Sequence, residues 1–366
     1  MTPGLHANIR LPLTRGGRRT PAPPASARRA ARTVVAWFAV GTLGLSAATL
    51  AAADVLLLRD PEYGRRASAL HARLAENPGR PLVLVVGSSR VGAAVCPAAW
   101  EAERAGGPMF FNLGRAGAGP VLQLMTLRRV LAEGVRPAVV LLEYWPPLMN
   151  HDHAPEFGRI PAEHVLARDL PTVRDYWRDG GEFERRAWMS RLNPIFHLRR
   201  TLMLQIDPTW TPWPGRTEMV WNTLDGWGWL PGLDFPPEGC AERSSWLARW
   251  EPVFRPQLRS FAVSERADRA LREAVAVARD HGAAVGLVHL PESSEFRGWY
   301  SRRAARAARE YLAGLSRELA VPAIDASEWL ADGLVADGFH PSRRGAQDFT
   351  RRLGAEVVGQ FPEVRP

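Results

Sequence analysis

There is no lysine in this 366-residue chain, so all 47 basic residues are arginines. A Schiff-base lysine and a P-loop lysine are thereby excluded. Cysteine is almost as scarce. Cys96 and Cys240 are the only two, and neither sits in a C-x-x-C pair. That excludes a zinc ribbon, an iron–sulfur protein and a disulfide-stapled miniprotein. Acidic residues are missing altogether from residues 1–32, where seven arginines stand among Pro, Ala and Gly. The remaining chain is close to charge balance, so the net charge of +9 is local. A nucleic-acid binder would carry its surplus on the folded domain, and no nucleic-acid partner is expected. With 46% hydrophobic and 23% charged residues the chain is not a wholly disordered one.

Long uncharged runs are rare, and one stands out. Thr33 to Ala53 holds 21 residues without a charge, directly after the arginines. That length crosses a bilayer as a helix, and the positive-inside rule puts the arginines in the cytoplasm and the rest outside. Ala51 and Ala53 also form an A-x-A-like site, so a cleaved signal is the rival reading. The expected organisation is a basic disordered tail (1–32), a transmembrane anchor (33–53), a linker and helix (54–80) and a domain over 81–360. The expected location is the cell membrane, single-pass, with the domain extracytoplasmic. Either reading exports the two cysteines to an oxidising compartment.

Five apolar runs read as strands: Pro81–Val86, Met109–Leu113, Ala138–Leu142, Ala284–Leu290 and a short one ending near Asp325. Helical periodicity follows over 121–131, 264–280, 301–318 and 341–358. Strands alternating with helices predict an α/β three-layer sandwich on a five-stranded parallel sheet. The pattern breaks over residues 146–262, a long insertion rich in proline and tryptophan. No internal repeat or coiled-coil heptad is present.

In open parallel sheets the chemistry sits at the carboxyl ends of the strands. Two of those ends are chemically loaded. Gly87-Ser88-Ser89-Arg90 follows the first strand, and Asp337-Gly338-Phe339-His340-Pro341 precedes the last helix. A serine becomes nucleophilic when a histidine, oriented by a carboxylate, takes its proton. Asp337 and His340 are spaced so that one turn presents both to the same point.

These blocks resemble those of the SGNH (GDSL-like) hydrolases. Gly87-Ser88-Ser89 stands where that family has Gly-Asp-Ser, a variation similar to its membrane-anchored cell-envelope members. The resemblance implies Ser89 as nucleophile, His340 as base and Asp337 as its orienting acid. It also implies an oxyanion hole from the N–H groups of Ser89 and Gly117, with Gly114 the alternative, on a flavodoxin-like SGNH fold. It spans roughly residues 80–145 and 262–360. One block departs. Where the family has Gly-x-Asn-Asp, this chain has Glu143-Tyr144-Trp145-Pro146, and Asn112 and Asn150 are the candidate replacements for the missing amide donor.

Other residues carry two readings each. Arg90 is a candidate contact for an anionic substrate or a partner of Glu143. His151-Asp152-His153 reads as polar loop rather than metal site, and neither metal nor cofactor is expected. His289 and the residues after it line a pocket or form an ordinary loop. The insertion holds seven of the chain's 14 tryptophans within residues 210–250. They form a small core or stack on sugar rings, with Trp227 and Trp229 the candidate substrate contacts. The leading expectation is a membrane-tethered serine esterase or O-acyltransferase acting on cell-envelope carbohydrate or other esters. The alternative is a catalytically weak binding or assembly protein of a polysaccharide pathway.

Overall fold

The computed structural model describes residues 25–51, 55–150, 161–177, 180–210, 220–231 and 240–365. The chain divides into two units at Ala48/Thr49. The first contributes one helix, α1 (Ala25–Ala51). Its stretch Ala25–Ala48 is long and apolar enough to cross a membrane by length and composition. The helix starts ahead of the expected Thr33 and takes in Arg28, Arg29 and Arg32, so the expected tail is helical from residue 25 onward.

In the second unit the five apolar runs become strands, the first four buried on both faces and the short fifth only at Ile324. They are β1 (Leu82–Gly87), β2 (Met109–Gly114), β3 (Val139–Glu143), β4 (Ala284–His289) and β5 (Ala323–Asp325). All pair in parallel, in the order β2-β1-β3-β4-β5. The order reverses between β1 and β3, and open α/β sheets bind their ligands at such a switch point.

Alternate strand residues serve opposite faces. Leu82, Leu84 and Val86 pack with Phe111, Leu113, Val140 and Leu142 into one core. That side is covered by α2 (Pro61–Glu76), α5 (Pro120–Ala132), α10 (Glu265–Asp280) and α11 (Arg302–Leu319). Val83 and Val85 pack with Phe110, Val139, Leu141 and Val288 into the other core. Here α3 (Ser89–Ala94), α4 (Pro97–Glu103) and α12 (Arg343–Gln360) form the cover. Side-chain caps start several of these helices, as Ser301 does by accepting the Ala304 N–H and Ser342 by accepting that of Gly345.

Between β3 and α10 the described chain is helical, with α6 (Leu170–Tyr176), α7 (Gly180–Leu192), α8 (Pro194–Ile206) and α9 (Cys240–Arg259). Two of its pieces brace the sheet. Trp177 and Tyr176 join the first core, while the turn Asp225–Leu230 lies against β2, an edge strand. The Asn112 N–H donates to the Trp227 carbonyl (3.1 Å), and the Leu230 N–H donates to that of Gly92 (2.9 Å). The edge is thus covered by a loop, one of the ways sheets avoid pairing with other chains.

The tryptophans of the insertion do not behave as one group. Trp229 is 6% exposed and its indole N–H donates to the Ala93 carbonyl at 2.8 Å. Trp227 is half-buried, with the Arg73 guanidinium 4.8 Å over its ring. Trp246 and Trp250 are half-buried, and Trp210 is exposed. Trp213 and the side chain of Trp221 lie outside the described residues. Trp229→Ala is expected to cost about 3–5 kcal/mol, the usual range for an emptied tryptophan site. Thermal denaturation checks this, and a loss below about 1 kcal/mol would return Trp229 to the surface.

Candidate active site

The β1–α3 turn is built around one close approach. A Cβ placed on Gly114 would lie 2.1 Å from the Gly92 nitrogen, so only glycine lets α3 sit this tightly against β2. The turn's donors are assigned one by one. The Ser88 N–H donates to Glu143 Oε2 at 2.5 Å, and the Arg90 N–H donates to Ser88 Oγ at 3.1 Å. Ser88 is therefore the helix cap and is buried. The Ser89 N–H, at the first position of α3, has no acceptor among the described residues. Ser89 is half-buried, whereas Ser88 is buried.

Across the turn lies the segment Asp337–His340. His340 Nε2 is 2.9 Å from Ser89 Oγ, and His340 Nδ1 is 2.8 Å from Asp337 Oδ2. With the Nδ1–H donating to Asp337, the ring leaves Nε2 to accept from the Ser89 hydroxyl. Asp337 Oδ1 also accepts the N–H groups of His340 (2.9 Å) and Phe339 (3.2 Å). The two residues are held in register by Gly338 at φ +103°, a conformation that side-chain-bearing residues rarely adopt. Burial pushes the Asp337 carboxyl up, but His340 and the two backbone donors outweigh it and hold it below the ordinary carboxylate range.

The other expected site residues divide. Gly117 sits at φ +69° in the Arg115–Ala118 turn after β2, and its N–H has no backbone acceptor among the described residues. Gly114 is committed elsewhere, its N–H donating to Asn112 Oδ1 at 2.8 Å. Asn112 is no substitute donor, because its amide N–H groups go to the carbonyls of Val91, Gly92 and Val95. Asn150 likewise spends its amide on the Gln257 and Ser260 carbonyls.

Arg90 as a substrate contact is corrected. It is fully buried, and Nη2 donates to the carbonyls of Leu290 (2.7 Å) and Pro291 (3.1 Å). Its Nη1 lies 3.5 Å from Glu143 Oε1, and its guanidinium stacks 4.7 Å from the Trp145 ring. Every direction a substrate could approach from is occupied by protein. Trp229 is corrected for the same reason, and the Trp227 carbonyl belongs to the β2 edge. His151-Asp152-His153 lies outside the described residues. Among the described residues no group of three His, Cys, Asp or Glu is arranged to hold a metal. Cys96 is buried with a free thiol, and the side chain of Cys240 is outside the described residues.

What the sequence did not reveal is how the histidine loop is held. Phe339 packs into an aromatic cluster with Trp145, Trp250, Phe254 and Phe296, its ring 5.2 Å from Phe254 and 5.8 Å from Trp250. Trp250 and Phe254 belong to α9, so the insertion positions the loop that carries His340. The broken helical period and the two prolines of that segment, Pro252 and Pro256, hid it. No family model matches this chain, and no curated protein matches it.

Two outcomes are expected. Glu143→Gln strips a fully buried Arg90 of its partner at the turn and is expected to cost about 3–5 kcal/mol in chemical denaturation. His289, at the end of β4, concerns pH. Burial lowers its pKa, yet hydrogen bonds to Asp325 and Glu292 outweigh that and push it up to about 9 from a usual 6.5. A raised pKa contributes stability that is complete below about pH 6.5 and lost as pH rises through 9. The melting temperature should therefore fall across that window, and His289→Gln should flatten the fall. An unchanged slope in the variant would assign the loss to other groups.

Proposed function

We propose that this chain is an exported, membrane-tethered serine hydrolase or acyltransferase of SGNH type, acting on ester-linked acyl groups of cell-envelope carbohydrate. The observation that carries this reading is the unbroken series Ser89 Oγ, His340 Nε2, His340 Nδ1 and Asp337 Oδ2, with both links within 3 Å. The tethered location draws support from the apolar helix over Ala25–Ala48 and the arginines ahead of it. The alternative use of that segment is a cleaved signal.

The chemistry follows from the geometry. His340 Nε2 takes the Ser89 proton as Oγ attacks the acyl carbonyl. Asp337 stays ionised and holds the Nδ1–H, favouring the imidazolium that forms. The oxyanion meets the N–H groups of Ser89 and Gly117, both without other acceptors among the described residues. Collapse expels the alcohol, which takes the proton from Nε2 and leaves an acyl-Ser89 ester. Water or a sugar hydroxyl then gives its proton to Nε2 and attacks that ester, and Ser89 Oγ leaves, taking the proton back from Nε2, so hydrolase and transferase share every protein group.

A second reading has a specific observation in its favour. Glu143-Tyr144-Trp145-Pro146 occupies the place of the family's asparagine-bearing block, and Asn112 and Asn150 are both spent on backbone carbonyls. Loss of one oxyanion donor costs about 10²–10³ in rate. A slow or catalytically weak envelope-binding protein fits that departure.

The test is a fluorophosphonate probe together with a short-chain aryl ester. Wild type should label and turn over. Ser89→Ala and His340→Ala should each lose about 10⁴-fold or more, with the double variant little worse, because such residues act as a unit. Asp337→Asn should lose less. Ser88→Ala should keep labelling while losing about 0.5–2 kcal/mol of stability as a helix cap. No labelling of wild type would favour the binding-protein reading.

A further inference from the structure

A second pocket opens at the carboxyl ends of β3, β4 and β5, away from β1 and its serine. It is a cavity of about 150 Å³. That is room for a group the size of one small ring. Its floor is apolar and aromatic, built from Tyr144, Ala308 and Leu312, all buried. Tyr144 is fixed there by donating its hydroxyl to the Ala308 carbonyl at 2.8 Å.

The polar wall is charged but balanced. With the His289 ring protonated between its two carboxylates, three cationic groups line it, His289, Arg297 and Arg309, against three acidic ones, Glu292, Asp325 and Glu328. His289 lies between Asp325 (3.2 Å) and Glu292 (3.4 Å), so the inner charges satisfy one another. At the rim Glu328 stands 3.7 Å from Arg297, beyond hydrogen-bonding distance, and Arg309 makes no ion pair among the described residues. An exposed carboxylate in a loose ion pair and a guanidinium without one are thus placed to accept from and donate to a visitor.

A net charge in the wall would select an ion, and there is none. An apolar floor with acceptor and donor groups around the rim suits a ring with one hydrophobic face and hydroxyls on its edge. We infer that this cavity is a binding site for a single neutral pyranose unit. Glu292 links this wall to the segment that carries Ser89 through buried side chains. That carboxylate accepts the Trp145 indole N–H at 2.9 Å and lies 3.7 Å from Arg90, the residue after Ser89. The inference needs no catalytic serine.

The test uses the full-length protein in a detergent without a sugar head group. Methyl β-D-glucopyranoside and N-acetylglucosamine are followed by saturation-transfer NMR at about 10 mM, which detects millimolar binding. Benzoate and cyclohexylammonium serve as one-ring anion and cation. At least one of the two sugars should bind, equally well in Ser89→Ala, while the ions should not. Ala305→Phe fills the cavity from α11 and should weaken sugar binding at least tenfold, with circular dichroism and melting temperature confirming the fold. Should that variant not fold, Arg309→Ala combined with Glu328→Gln, both at exposed positions, should weaken it about tenfold. Absence of sugar binding, its persistence in the variants, or tighter binding of either ion would overturn the inference. Binding that survives while wild type fails to label with fluorophosphonate would leave the pocket standing without the serine chemistry.

Discussion

The Glu143 carboxylate, buried beneath the turn after β1, takes the Ser88 N–H and faces the Arg90 guanidinium. Much of the site depends on that bracket. The Ser88 N–H is satisfied from below while its Oγ caps the Arg90 N–H, and Ser89 is the half-buried serine of the turn. Arg90 in turn runs inward to the Leu290, Pro291 and Phe339 carbonyls. A single guanidinium therefore ties the serine turn to the ends of β4 and to the loop that carries His340. Buried charge is tolerated here because nearly every donor has an acceptor.

The same logic recurs on the opposite face of the sheet. Asp60, at the start of α2, accepts from Arg115 and Arg129, and Arg129 also pairs with Asp169 in the insertion. Burial raises the Asp60 carboxyl, but the two guanidinium groups outweigh it and hold it well below the ordinary range. The network fastens the Gly114–Gly117 loop from the side away from the serine. With arginine as the sole long cation, each such link is a planar fork able to serve two acceptors.

The sheet was legible from residues alone. Five apolar runs with helical periods between them allow little but a parallel, doubly wound sheet, and the strand limits were met within a residue. The spacing of Asp337 and His340 was equally readable, since a three-residue separation around a glycine is a local matter. What misled was side-chain chemistry read without direction. Arg90 and Trp229 look like substrate contacts by type, yet both point into the protein. Asn112 and Asn150 look like spare amides, yet backbone carbonyls claim them.

The sequence by itself determined the strands, the long helices that cover the sheet, the glycine-marked turns and the candidate Ser, His and Asp, because these follow from local periodicity and short spacing. Only the tertiary structure decided which of two adjacent serines faces His340, since that rests on Glu143, 55 residues away, taking the Ser88 N–H. It alone decided that the insertion holds the His340 loop through Trp250 and Phe254, and that His289, Glu292 and Asp325 meet around one cavity. Those contacts join residues far apart in the chain, and their directions are fixed by packing, which no local pattern encodes.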